Sequence, residues 1–202
     1  MATRGRPRTF DRESALSTAT ELFWKKGYEA TAVADLCRSI GIEAPSLYAA
    51  FGSKEKLYCE CLDHYQQTIA PLIWNGLETA RTARDGFASV LYGTARVLPS
   101  TIRASGCMVT LSAAGENGDT ALGQKVKGVR AVGLKRLEAC LRRGIANGDV
   151  PRRVNIKAIS RFFLNIQQGM AVQARDGANT RILKEIASLA MKAWPVFIDP
   201  DN

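Results

Sequence analysis

Two short helical patterns meet at a single glycine in residues 31–54, TAVADLCRSIGIEAPSLYAAFGSK. That junction narrows the folds open to the chain more than any other feature. Val33, Leu36, Cys37 and Ile40 repeat at i, i+3, i+4 and i+7, which gives the first pattern one apolar face. Gly41 follows at once, and glycine reaches the left-handed conformation that closes a helix without a Cβ clash. Ile42, Leu47 and Phe51 then supply inward anchors for a second helix, with Pro45 in its first turn, where a missing N–H costs nothing. Two helices joined this tightly, the second with a free outward face, predict a helix-turn-helix able to enter a DNA major groove.

The rest of the chain is patterned for helices, and no strand alternation stands out. Asp11 is placed to cap a first helix reaching Lys26, with Ala15, Leu16, Ala19, Leu22 and Phe23 inward. Thr31 is expected to cap the first helix of the pair. Gly52-Ser53 breaks the chain before a long helix from Lys54, which Pro71 should kink or end. Further helices are expected at about 83–98, 107–114, 119–147, 155–176 and 179–196, with loops rich in Gly, Asn and Asp between them. The fold class is therefore all-α. The predicted division is a basic arm at 1–8, a three-helix DNA-binding domain at 9–53, and a helical regulatory and dimerisation domain at 54–202.

Composition excludes several classes. No run of about 18 apolar residues is present, so a membrane partner is not expected. The start, MATRGRPRTF, is basic without the apolar stretch of a secretory signal. Five scattered cysteines fit reduced thiols and a cytoplasmic location. A P-loop, dinucleotide fingerprint, HExxH and nucleophile elbow are all missing, and the single histidine, His64, restricts acid–base chemistry, so no enzyme or cofactor is read here. Cys61 and His64 share a helix face, but two ligands are an incomplete metal site, and none is expected.

The formal charge of +9 suggests a polyanionic partner, yet residues 1–68 hold nine basic and nine acidic side chains. The excess lies entirely beyond residue 68. DNA affinity must then depend on where charges sit, chiefly Arg4 to Arg12 and Lys54.

ALSTATELFWKKGYEATAVADLCRSIGI and SLYAAFGSKEKLY, within residues 9–68, resemble the tetracycline-repressor (TetR) family of bacterial transcription regulators. The aromatic pair Tyr48/Phe51 followed by Gly-Ser-Lys and a long helix makes the resemblance specific. It implies a homodimeric repressor on a palindromic double-stranded operator, released by an unidentified small-molecule or redox signal. An activator or an architectural DNA-binding protein is the alternative.

On that resemblance, residues 44–51 read the groove through Ala44, Pro45, Ser46, Ala49 and the preceding Glu43. Phosphates are met by Thr31, Tyr48 and Lys54, whose hydroxyl, phenol and ammonium groups suit that task. Relatives often carry Ser or Thr where Glu43 stands and larger polar residues at Ala49 and Ala50, so the reading face is spare. Arg4-Gly-Arg-Pro-Arg8, with Arg6 at its centre, resembles an AT-hook core that slides into a narrow minor groove.

Dimerisation is expected through two apolar stripes, Ile159, Phe163, Ile166 and Met170 on one helix and Ile182, Ile186, Leu189 and Trp194 on the next. Pocket candidates are Tyr65, Ile69, Leu72, Trp74, Phe87, Leu91, Met108, Leu111, Phe163 and Gln167, and no cluster of carboxylates or basic residues singles out a ligand charge. Cys107, after Gly106 at an expected helix N-terminus where a thiolate is favoured, is the redox candidate.

Overall fold

The computed structural model describes residues 10–112 and 120–198. Among them the backbone forms ten helices and no strand: α1 (Arg12–Lys26), α2 (Val33–Ile40), α3 (Ala44–Phe51), α4 (Lys54–Thr68), α5 (Pro71–Thr79), α6 (Ala83–Val97), α7 (Ala121–Asn147), α8 (Ile156–Arg175), α9 (Thr180–Lys192) and α10 (Trp194–Ile198). Short polar side chains close most N-termini. Asp11 accepts from the Glu13 amide at 3.1 Å, Ser53 from Lys56 at 3.1 Å, and Asn155 from Ala158 at 3.0 Å. Pro71 opens α5, and α4 has already ended at Thr68.

Three local expectations are corrected. Ala32, not Thr31, is the N-cap of α2 and offers no side-chain bond; Thr31 is fully enclosed and its hydroxyl donates to the Gly27 carbonyl at 2.6 Å. The helix expected at 107–114 is instead a turn at 107–111, with the Leu111 amide bonded to the Cys107 carbonyl at 3.0 Å, and positions 113 and 114 lie outside the described residues. The last long helix is broken at Ala193, because Pro195 cannot donate to the ladder and disfavours helical geometry before it.

Side chains pack into two apolar clusters. One joins α1–α4 through Phe23, Trp24, Leu36, Leu47, Phe51, Leu57, Tyr58 and Leu62. The other is built around α6, which is buried along most of its length between α5, α8 and α9. The clusters are bridged by α7, 27 residues and about 40 Å long. Its start, Leu122 and Val126, belongs to the first cluster, and its later Leu137, Cys140 and Leu141 to the second. Ile69 and Cys107 touch both clusters, which places them at the seam.

Candidate nucleic-acid interface and effector cleft

The α2–α3 junction has the geometry the sequence demands. Gly41 sits at φ 80°, ψ 34°, and its amide and that of Ile42 both reach the Cys37 carbonyl, at 2.9 and 3.1 Å. Leu47 and Phe51 are buried, so Pro45, Ser46, Tyr48 and Ala49 form the outward row of α3. Glu43 caps α3 by backbone alone and leaves its carboxylate exposed. Ala44 is half-buried.

Two cations steady this face from behind. The Arg12 guanidinium makes two bonds to Glu60, at 2.7 and 2.9 Å, lies 4.5 Å over the Phe51 ring, and reaches the Ala50 carbonyl at 3.4 Å. It therefore ties α1, α3 and α4 together and is not the free arm charge the sequence suggested. Lys54 stands with its ammonium 4.3 Å over the Tyr28 ring, itself packed on Phe23 and Tyr58. Asp35 bonds Lys26 at 2.8 Å and Arg38 at 3.4 Å; the Lys26 hydrogen bond chiefly holds its carboxyl below the usual range. Arg4, Arg6 and Arg8 lie outside the described residues.

A narrow, partly open cleft with a cavity volume of about 40 Å³ lies at the seam between α4, α5, α7 and α8. Of the sequence candidates, it brings together Tyr65, Trp74, Gln167 and Cys107. Ile69 adjoins at the seam. The others are placed elsewhere. Met108 is buried in the first cluster and Leu111 packs on Gly106. Phe87, Leu91 and Phe163 fill the second cluster, where Phe87, Phe163 and Trp194 rings meet at 5.0 to 5.7 Å. Arg130, Arg136 and Leu164 were not among the candidates read from the sequence. The signal was available: 129, 130, 133 and 136 recur at helical spacing on α7, although basic residues along a helix are ordinarily a solvated face.

Burial first, and then the neighbouring Cys107, holds the Tyr65 phenol well above its ordinary pKa. Cys107 itself is half-buried and begins a turn, so the α-helix N-terminus that would favour its thiolate is not there. Cys61 is enclosed against α1, and burial pushes its thiol up to about 12, which makes it a packing residue and a poor metal ligand.

The seam is tied to α1 by several bonds. The Trp24 ring meets Tyr65 edge-on at 5.0 Å, and its Nε1 donates to the Gly106 carbonyl at 3.2 Å. Glu21 accepts from the Ala104 amide at 2.8 Å. Arg175, at the end of α8, donates to the carbonyls of Ser105 (2.8 Å), Trp24 (2.7 Å) and Lys25 (3.1 Å). Gly106 is at φ 78°, and a Cβ there would stand 2.8 Å from the Ala171 carbonyl, so only glycine lets this loop lie against α8.

The expected dimer stripes are half inverted. Ile159, Phe163, Met170 and Trp194 are buried within the protomer. Ile166, Ile182 and Ile186 are partly covered, and Leu189 is 64% exposed. Phe162, Val172 and Val196 are also exposed. The outward face of α8 thus carries Phe162 and Val172 beside Ile166, and is rotated from the stripe chosen by periodicity.

Comparison with known proteins places these features in context. The family model "Bacterial regulatory proteins, tetR family" matches residues 15–61. The HTH-type transcriptional repressor ComR of Escherichia coli (strain K12) is 34% identical over 205 residues, covering 96% of this chain and 94% of ComR. The repressor BdcR of the same organism is 32% identical over 96% of this chain and 94% of its own. A cysteine mutant of the TetR family regulator CifR, solved with a 26-bp operator DNA, superposes with a TM-score of 0.88 at 35% identity, covering 95% of this chain and 100% of that one.

Proposed function

The chain belongs to the TetR family of bacterial regulatory proteins, and from that premise we propose that it is a homodimeric repressor that leaves a palindromic operator when a small molecule occupies the seam cleft. It is a DNA-binding transcriptional regulator, and its family is one of regulators, not enzymes. The observation that carries the reading is α3: two buried anchors fix the helix, and its opposite side is left bare beside a braced Lys54.

In this reading Pro45, Ser46, Ala49 and Glu43 face bases, with Ala44 at the helix entry. Tyr48 and Lys54 face phosphates. Thr31 has no such role, its hydroxyl being enclosed. Arg4, Arg6 and Arg8 would extend into the neighbouring minor groove. The symmetric interface uses the outward rows of α8 and α9, with Phe162, Ile166 and Val172 against Ile182, Ile186 and Leu189 of the partner subunit. Two-fold symmetry then calls for two half-sites. An occupied cleft would displace Tyr65, hence Trp24 and the α1 end, and change the spacing of the two α3 helices. Release needs a differential affinity, typically about 1–3 kcal/mol of coupling. Cys107 opens on the same cleft, so modifying it would act on the same seam.

Footprinting on DNA upstream of the protein's own gene tests the proposal. A protected, roughly two-fold symmetric site that survives competitor DNA is expected. Binding that is purely salt-sensitive and sequence-independent would replace the repressor with an architectural role, and no binding would remove it.

A further inference from the structure

Hydrogen-bond donors in the seam cleft outnumber their partners. The hydroxyl of Tyr65, a residue only 1% exposed, has Cys107 and the Met108 backbone nearby but no partner among the described residues in good hydrogen-bonding geometry. The enclosed Arg136 Nε has no hydrogen bond among the described residues either. Arg136 engages the Trp74 carbonyl at 3.1 Å and Glu78 at 2.9 Å through one terminal nitrogen, which leaves its Nε edge over. Arg130 also borders the cleft, its guanidinium turned to the carbonyls of Val109, Thr110 and Ser112. Opposing them is no carboxylate among the residues that line the cleft. The walls are otherwise apolar, with Trp74 and Leu164 among them.

Enclosed donors without partners are rare because each forfeits its hydration with nothing in return. They mark where an acceptor belongs. A phenol kept protonated by burial can only donate usefully here, and a guanidinium only donates. Two donor groups, a net positive rim and an aromatic wall together select one kind of molecule. Resting on the reading of this cleft as the effector site, we propose that it takes an organic monocarboxylate with a compact aromatic or branched apolar body, its oxygens accepting from Tyr65 and Arg136. The charged end is then desolvated against partners that need it, and the apolar body lies along Trp74 and Leu164. Tyr65 is also the residue that packs on Trp24, so the atom that meets the ligand belongs to the side chain that meets α1.

The test is calorimetric titration of the purified full-length dimer with benzoate, phenylacetate and 4-methylpentanoate, each against its primary amide. At least one acid is expected to bind about tenfold or more tightly than its amide, as a charge-assisted bond is worth that much. Tyr65→Phe should weaken that acid about tenfold while the ligand-free melting temperature stays or rises, because the enclosed hydroxyl loses nothing by removal. Arg136→Gln should erase the preference for acid over amide. Amides that bind as well as their acids, or a set in which nothing binds, would overturn the proposal. Operator binding by the same preparation is measured alongside: if it is intact while the acids fail, only the ligand class is lost, and if it is missing, the repressor reading fails separately.

Discussion

Replacing Arg175 with methionine keeps the aliphatic stem and removes the guanidinium that joins α8 to the end of α1. Trp24 and Lys25 lie in the last turn of α1, where carbonyls have no partner inside the helix and carry its partial negative charge. Arg175 caps them from another element. The bonds to Trp24 and Ser105 are short and partly buried, and the bond to Lys25 is longer and exposed. A hydrogen bond to a charged group contributes about 1.5–3 kcal/mol when well shielded. Discounting the first two for partial exposure and neglecting the third leaves about 2–3 kcal/mol. For a chain of this size that corresponds to a fall of roughly 4–12 °C in Tm. Arg175→Lys, whose ammonium cannot span three carbonyls, should lie between. The Arg175→Met and Trp24→Phe effects should be non-additive by more than about 0.5 kcal/mol, because both act on the 105–106 loop. Untying α1 also lets the α3 pair sample more spacings, so operator affinity should drop about three- to tenfold as the competent fraction falls. Thermal unfolding by circular dichroism and fluorescence anisotropy on operator DNA read the two effects. A Tm shift under about 2 °C with strict additivity would refute the clamp.

Three other perturbations probe separate parts of the molecule. Lys54→Ala should weaken operator and nonoperator DNA alike and lower the slope of log affinity against log salt by about one, measured by anisotropy at several salt concentrations. Leu189→Glu should leave the protomer folded but shift sedimentation from dimer toward monomer, whereas Phe163→Ala should cost about 3–5 kcal/mol of stability by opening the second cluster; an unchanged dimer with Leu189→Glu would place the interface elsewhere. Burial raises the Cys61 thiol to about 12 and also raises the Tyr58 and Tyr65 phenols. These groups therefore ionise first in the unfolded chain. The stability tied to Cys61 is complete below about pH 8.5, its unfolded value, and is lost toward about 12, at up to about 1.4 kcal/mol per pH unit. Urea midpoints at pH 8 and 9.5 should differ less in Cys61→Ala than in the parent.

The helix-turn-helix was legible because local rules and burial agree there: a left-handed glycine, an i, i+3, i+4 face and two aromatic or aliphatic anchors all point one way. Residues whose fate depends on distant neighbours were not. Thr31 offered a cap hydroxyl, but the Gly27 carbonyl four residues back captured it. Arg12 resembled an arm charge, and only the fold brings Glu60 to it. In α8 both Phe162 and Phe163 are apolar, so periodicity could not say which enters the protomer's own core and which stays exposed. The cleft was the least visible part. Arg136 sits on a helix patterned like a solvated surface, and its partial enclosure is a property of α5 and α8 packing against that helix.

The way the two clusters share elements bears on how a signal can travel. A repressor with a single continuous core would resist rearrangement, since close-packed interiors shift between discrete arrangements at a cost set by every contact broken. Here the clusters meet along a seam lined by Ile69 and Cys107, with Gly106 in the adjoining loop and enclosed donors left unpaired. That seam is the part of the protein with least to lose by moving. The shared elements, α4 and α7, carry the first cluster as a unit, and Trp24 and Arg175 hold its far end to α8. On the proposed reading, a ligand at the seam would act at a hinge with two attachments. Because residues 1–68 carry no net charge, the DNA side has little nonspecific electrostatic attraction with which to resist. On the same proposal a modest change in α3 spacing would suffice for release, since affinity would rest on a few placed groups and not on bulk charge.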